Sequence, residues 1–236
     1  MNSTRSLLLA LLIGGIPHPD ALAQGFVSGS TGAFGPLNIT TNTTLELPPD
    51  GVFHCTTITI QGSRILSFRR NPLNTPVQLL ATADVVINGT IDVSGRGGNN
   101  FLGGDGGPGG FNGGNPGSTA VPPGAGYGPG AGRGGVQNFS VDGAGPASFA
   151  TSVNVSSTNK GSVYGNALLI PIIGGSGGGG IAGTPGVGGM GGGGAVLIAS
   201  TTRIEVNGTV NANSGDVPSV WQKTPEFLWV EFSKMV

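Results

Sequence analysis

The chain has 236 residues, a formal net charge of −1 and only 9% charged residues. That composition offers no basic patch for a nucleic-acid backbone or an anionic lipid surface, so no nucleic-acid partner is expected. The single cysteine, Cys55, excludes an intramolecular disulfide, and its apolar surroundings (Val52, Phe53, Ile58, Ile60) mark it as a small core residue rather than a reactive thiol.

Residues 1–23 read as a cleaved secretory signal. Arg5 supplies the positive start, Leu7 to Ile13 the apolar core, Pro17 the break, and Ala21-Leu22-Ala23 the small-x-small site before Gln24. The product is expected to be secreted or held at the cell surface. The apolar core is too short for a bilayer, and the longest later apolar run, Ala167 to Ile173, contains Pro171 and ends in glycine, so no membrane span is expected. Nor does the glycine-rich middle leave room for the many alternating strands of a membrane barrel.

Residues 24–94 are strand-like. Leu37 to Thr40, Thr44 to Leu47, Thr56 to Ile60 and Ile65 to Phe68 predict short strands, with corners at Pro48-Pro49-Asp50-Gly51, Gln61-Gly62-Ser63 and Asn71-Pro72. The segment from Val77 to Ser94 is longer. Its odd positions are apolar (Val77, Leu79, Val85, Ile87, Ile91, Val93) and its even positions mostly polar (Gln78, Thr82, Asp84, Asn88, Thr90, Asp92), the period of a strand with one buried face. The same pattern returns without a gap from Val196 to Asn213, within residues 195–215. Val196, Ile198, Ile204, Val206, Val210 and Ala212 keep the phase. Asn88-Gly89 and Asn207-Gly208 are the corners of the two copies, residue types that tolerate positive φ.

Between the copies, residues 95–194 hold 37 of the 48 glycines. Gly103 to Gly117 and Gly174 to Gly194 are its dense parts, the first repeating Gly-Gly-x. The tract reads foremost as a flexible, low-complexity insertion. The alternative is a set of packed extended helices, since three residues per turn is the polyproline II period and glycine permits close packing. Residues 216–236 lack glycine and carry both tryptophans, as either a cap on an exposed end or the out-of-frame tail of a truncated chain.

Many short strands with evenly spaced corners predict an all-β fold. A sandwich is compatible. Near-identical strand–corner–strand units favour a right-handed parallel β-helix (a β-solenoid), with the two copies as neighbouring coils and the glycine tract looping out between them. At Leu47-Pro-Pro-Asp-Gly-Val52, Thr56 to Ile60, Val85-Val-Ile-Asn-Gly-Thr-Ile-Asp-Val-Ser-Gly95, Gly104 to Gly114 and Gly191-Gly-Gly-Gly-Ala-Val-Leu-Ile-Ala199 the chain resembles exported bacterial glycine-rich surface or secreted proteins of predicted parallel β-helix fold. The resemblance spans residues 37 to about 215, implies that fold, and carries no catalytic residue over. The chain departs from the family's pattern from Val217 onward.

The candidate chemistry is sparse. Sites on such folds that act on polysaccharides need paired carboxylates, or calcium-binding acids beside a basic residue. Asp84 and Asp92 lie on the outward face of the first copy, but their counterparts are Arg203 and Asn211, so no carboxylate ladder forms. His54 and Cys55 are neighbours on a strand and point to opposite faces, which leaves no dyad and too few metal ligands. Asp105, within Gly103-Gly-Asp-Gly-Gly, lacks the nine-residue recurrence of a calcium-binding repeat. No Gly-Lys-Ser/Thr follows the glycine runs. The triplets at Asn38, Asn42, Asn88, Asn138, Asn154 and Asn207 fit N-glycosylation acceptors, but Asn and Thr are also ordinary corner and outward-strand residues. No catalytic, cofactor or metal residue is assigned. The expected function is a non-enzymatic structural or adhesive protein of the cell surface or matrix, meeting surface polysaccharide or other surface proteins. The alternatives are a polysaccharide-active enzyme, or an inactive fragment of one, and an ice- or surface-binding protein.

Overall fold

The computed structural model describes residues 25–136, 143–150, 158–166, 168–216 and 231–233. The expected signal and most of the divergent tail lie outside them, as do Asn138 and Asn154. Every regular element among the described residues is a strand: β1 (Gly35–Ile39), β2 (Thr43–Glu46), β3 (Val52–Ile60), β4 (Ile65–Arg69), β5 (Val77–Ala81), β6 (Val85–Ile87), β7 (Thr90–Asp92), β8 (Gly135–Val136), β9 (Ile181–Ala182), β10 (Val196–Ser200), β11 (Ile204–Val206), β12 (Thr209–Asn211) and β13 (Glu231–Ser233). The fold is all-β. No helix among the described residues is long and apolar enough to cross a membrane.

Pairing within the three sheets is parallel. Seven strands form the first sheet, in the order β11-β6-β3-β5-β10-β13 with β1 also on β3; the second runs β12-β7-β4-β2; β8 and β9 form a two-stranded third. The duplicated segments pair with each other directly. Val196 lies on Val77, Ile204 on Val85 and Thr209 on Thr90, each strand of one copy beside its equivalent in the other. Alternation then does what period two requires. Val77, Leu79, Val85, Ile87 and Ile91 are fully buried, and with Ile58, Ile60, Leu66 and Ile198 they fill the core between the two larger sheets. Each such side chain contributes about 1.5–3 kcal/mol relative to exposure.

The corners fall where the sequence places them, but not all for the expected reason. Gly51 and Ser63 have positive φ, at 77° and 61°. Gly89 and Gly208 do not. Glycine is needed there because the chain passes too close to its neighbour. A Cβ on Gly89 would run into the Gln61 and Arg64 carbonyls, and one on Gly208 into the carbonyl of Gly89.

The right-handed parallel β-helix is not what forms. That architecture stacks complete coils with a strand on every side. Here each repeating unit has strands on two sides only, and the third sheet is a two-residue pairing of β8 with β9. The large sheet curls into a half-barrel instead of staying flat. The bend lies in β3, where Val52–Cys55 pair with β5 while Ile58–Ile60 pair with β6. Where a third wall of strands would stand, the chain supplies glycine.

That glycine tract is an ordered body in its described parts, not a flexible loop. Its backbone hydrogen bonds advance in threes on both partners: Gly104 and Gly107 donate to Gly189 and Gly192, while Phe111, Gly114 and Gly117 donate to Gly175, Gly178 and Ile181. Three residues is the polyproline II repeat. Segments of this kind cannot bond internally, so they satisfy their amides on each other. The body is tied to the strand segments at Gly194, whose N–H reaches the Val93 carbonyl, and at Gly95, which donates to Asn213.

Candidate functional surface

The second sheet presents the most regular outer surface. Its in-register strands place Thr44, Ser67, Asp92 and Asn211 in one row across four strands. Successive members of such a row stand about 4.8 Å apart. The hydroxyls of Thr44 and Ser67 are 2.7 Å apart and hydrogen-bonded. Two residues back along the strands, Ile65, Thr90 and Thr209 form a parallel row, which Asn42 extends by accepting the Ile65 N–H through Oδ1 at 3.1 Å. Glu46 and Arg69 close the far side in an exposed ion pair of 3.3 Å. Apart from that pair, Asp92 and the exposed apolar Ile65, the face is neutral, small and polar.

The outer side of the first sheet carries the other ladder. Arg203 donates to Asp84 at 3.0 Å and to Glu205 at 2.7 Å. Asn207 Nδ2 donates to Asn88 Oδ1 at 2.9 Å and to Glu205 Oε1 at 2.9 Å. Hydrogen bonds from Thr202 and Arg203, and the guanidinium charge, hold the Asp84 carboxyl below the usual aspartate range. It therefore stays ionised and paired, the opposite of what a general acid requires. Asp92 Oδ1 accepts the N–H of Ser94 at 2.9 Å and stabilises a corner. The counterpart of Asp84 in the second copy is its ion-pair partner, which explains why the acids do not repeat.

His54 and Cys55 lie on opposite faces of β3. His54 Nδ1 accepts the Thr31 N–H at 3.2 Å, whereas Cys55 is fully buried in the core, and burial pushes its thiol up to about 11. Asp105 faces Asn112 Nδ2 at 3.4 Å. Among the described residues no three His, Cys, Asp or Glu side chains gather as a metal site. A cavity of about 20 Å³ lies between Phe149, Leu169, Pro171 and the start of β10, apolar and large enough for a single small group.

Sequence reasoning missed the residues that dock the glycine body. Arg70 Nη1 donates to Asn112 Oδ1 at 2.8 Å and to the carbonyls of Gly106 and Gly110 at 3.4 Å each. Asn74 donates to the Gly110 carbonyl at 2.8 Å and accepts the Gly109 N–H at 3.2 Å. Behind them, buried Asn71 donates to the Pro48 carbonyl at 2.6 Å and to Thr75 Oγ1 at 2.7 Å. The available signal was Arg69-Arg70 beside three Asn and Thr residues, in a chain with so few charges. No family model, curated protein or solved structure matches this chain.

Proposed function

We propose that the protein is an exported, non-enzymatic structural or adhesive element of the cell surface or matrix, whose flat polar face makes weak, repeated contacts with neutral polysaccharide. The observation that carries this reading is the row Thr44–Ser67–Asp92–Asn211 with its companion row Ile65–Thr90–Thr209. A rigid sheet presents short polar side chains at fixed spacing, with Ile65 as an apolar contact among them, so little side-chain entropy is lost on contact. Each contact is small, and strength comes from repetition. The pairing of Asp84 with Arg203 supports a non-catalytic reading over the polysaccharide-active one.

The test is co-sedimentation of the mature protein with insoluble neutral glucans, chitin and cell-wall polymer. Binding should fall at least tenfold in the double variant Ser67→Glu, Thr90→Glu, with thermal stability retained. Retained binding in that variant would remove this face from the proposal. Release of soluble sugar that disappears in Asp84→Asn or Asp92→Asn would replace adhesion by catalysis.

A further inference from the structure

The outer face of the second sheet carries one apolar group among its polar rows. Ile65 is 41% exposed, and it stands on β4, an inner strand with β7 on one side and β2 on the other. Its row neighbours are polar: Thr90 on β7, and Asn42 just before β2. Among the described residues, the outward positions of β2, β4, β7 and β12 hold no aromatic ring, since Phe68 is buried in the core. The face therefore lacks a platform on which a sugar ring could stack. Its selectivity must come from polar atoms arranged around Ile65.

Two such atoms are held ready. Asn42 Oδ1 accepts the Ile65 N–H at 3.1 Å, and Asp92 Oδ1 accepts the Ser94 N–H at 2.9 Å. These bonds fix both side chains through one oxygen each. Asn42 Nδ2 and Asp92 Oδ2 have no hydrogen-bond partner among the described residues. A donor thus lies on one side of Ile65, and an acceptor on the other.

We infer that this part of the face takes an acetamido group, so that the polymer it meets is built of N-acetylated amino sugars. The inference rests on the polysaccharide reading proposed above. A secondary amide is planar and carries its N–H and C=O on opposite sides, with the acetyl methyl group beside them. Asp92 Oδ2 accepts the N–H, Asn42 Nδ2 donates to the C=O, and the methyl group covers Ile65. Asn42 and Asp92 stand two rows and two residues apart, about 12 Å between backbones at about 4.8 Å per row and 3.3 Å per residue. An acetamido group with its two hydrogen bonds spans about 8 Å, and the lengths of an Asn and an Asp side chain make up the rest. A sugar hydroxyl in the same place leaves Ile65 uncovered and one polar atom unpaired. An acidic sugar is repelled by the Asp92 carboxylate.

The test is co-sedimentation of the wild-type protein with chitin, chitin stripped of its acetyl groups, bacterial cell-wall glycan and a glucan of the same linkage, each competed by soluble oligomers. Acetylated polymer should hold the protein at least about fivefold more tightly than glucan, and acetylated oligomers should release it where glucose oligomers do not. Retention by chitin alone or by cell-wall glycan alone upholds the acetamido contact and names its source. Asp92→Asn keeps an oxygen for Ser94 but sets a donor against the ligand N–H, and should weaken binding to acetylated polymer roughly tenfold. Ile65→Ser should abolish the preference and leave glucan binding unchanged. Should either variant lose the wild-type circular dichroism, the oligomer competition on wild type decides alone. Equal binding of glucan and acetylated polymer, a preference that survives Ile65→Ser, or unchanged binding in Asp92→Asn overturns the acetamido contact while the polysaccharide reading stands. Tighter binding of the deacetylated polymer overturns it in favour of an ammonium group on Asp92. Binding to none of the four overturns both readings.

Discussion

Two adjacent glycines, Gly177 and Gly178, give the sharpest test of the glycine body. Gly177 donates to the Tyr127 carbonyl at 2.9 Å and accepts from Gly132 at 3.1 Å, and it is pressed against the strip at Asn112–Gly113. A Cβ placed on it would enter the Asn112 carbonyl and stand 2.8 Å from the Gly113 nitrogen, closer than the 3.0 Å that real Cβ atoms observe. Segments must therefore separate by about an ångström, an overpacking cost of about 1–3 kcal/mol. Two weakened backbone hydrogen bonds add about 1 kcal/mol each. Against this, alanine restricts the unfolded chain and returns roughly 0.4–1 kcal/mol. Gly177→Ala should thus destabilise by about 2–4 kcal/mol, a melting shift of roughly 5–15 °C at this chain length. At Gly178 the nearest atom to an added Cβ is the Met190 nitrogen at 3.8 Å, an ordinary contact, and no positive φ stands in the way. Gly178→Ala should be neutral or stabilising by up to about 1 kcal/mol. Thermal unfolding followed by circular dichroism, on the mature chain and both variants, decides it. Equal tolerance of the two alanines would mean that the tract is not packed, and the fold described above would lose its third wall.

Three further outcomes follow from named contacts. Arg70→Ala removes the charged donor to Asn112 and two glycine carbonyls; it should cost about 1.5–3 kcal/mol and raise hydrogen exchange in residues 104–114 more than in β5, whereas uniform acceleration would deny the docking role. Cys55, buried with its thiol pushed up to about 11, should resist a disulfide reagent in the native state at pH 8 and react on addition of denaturant; prompt native labelling would contradict its place in the core. The Asp84 carboxyl is lowered below the 3.8 of a free aspartate by Thr202 and Arg203. Its stabilising effect is therefore complete above that value and lost as pH falls through the lower folded one. The melting difference between wild type and Asp84→Asn should be constant from pH 8 to pH 5 and shrink as pH falls below 3.8; a difference that acid leaves unchanged would assign the effect to something other than the charge.

The strands were legible because alternation is a local signal. From Val77 to Val93 every second residue is apolar, and the buried side chains follow that phase through two sheets. Register between the copies was legible as well, since equal sequence in equal phase buries both apolar faces only when Val77 meets Val196 and Val85 meets Ile204. Architecture was not. Nothing in a strand's own residues says whether the wall beside it will be another strand or a polyproline-type segment. Glycine hides the difference further, because the same Gly-Gly-x run suits a loose chain and a packed one. The acids illustrate the same limit at the surface. Asp84 and Arg203 occupy equivalent positions in the two copies, and a difference in sequence became an ion pair only once the copies were neighbours.

The two halves of the molecule solve one problem by opposite means. A strand satisfies half of its backbone on each side and fills the core with Val, Ile and Leu, so its neighbours stand at sheet spacing and the side chains supply the stability. The glycine segments have no side chains to bury. They gain stability by bringing backbones so close that a single added methyl group would collide, as at Gly104 against Arg96 and Gly191 against Asp105. Dispersion contact and amide satisfaction replace hydrophobic transfer there. This division sets where each half tolerates change. In the sheets, Leu79→Ala should leave a cavity and cost about 2–5 kcal/mol, while a volume-conserving Leu79→Met costs less than about 1.5 kcal/mol. In the glycine body replacement is excluded wherever a neighbouring backbone fills the Cβ position, as at Gly177, and admitted only where that position is open, as at Gly178. The half of the chain that composition marks as least structured is thus the half whose packing constrains its residues most.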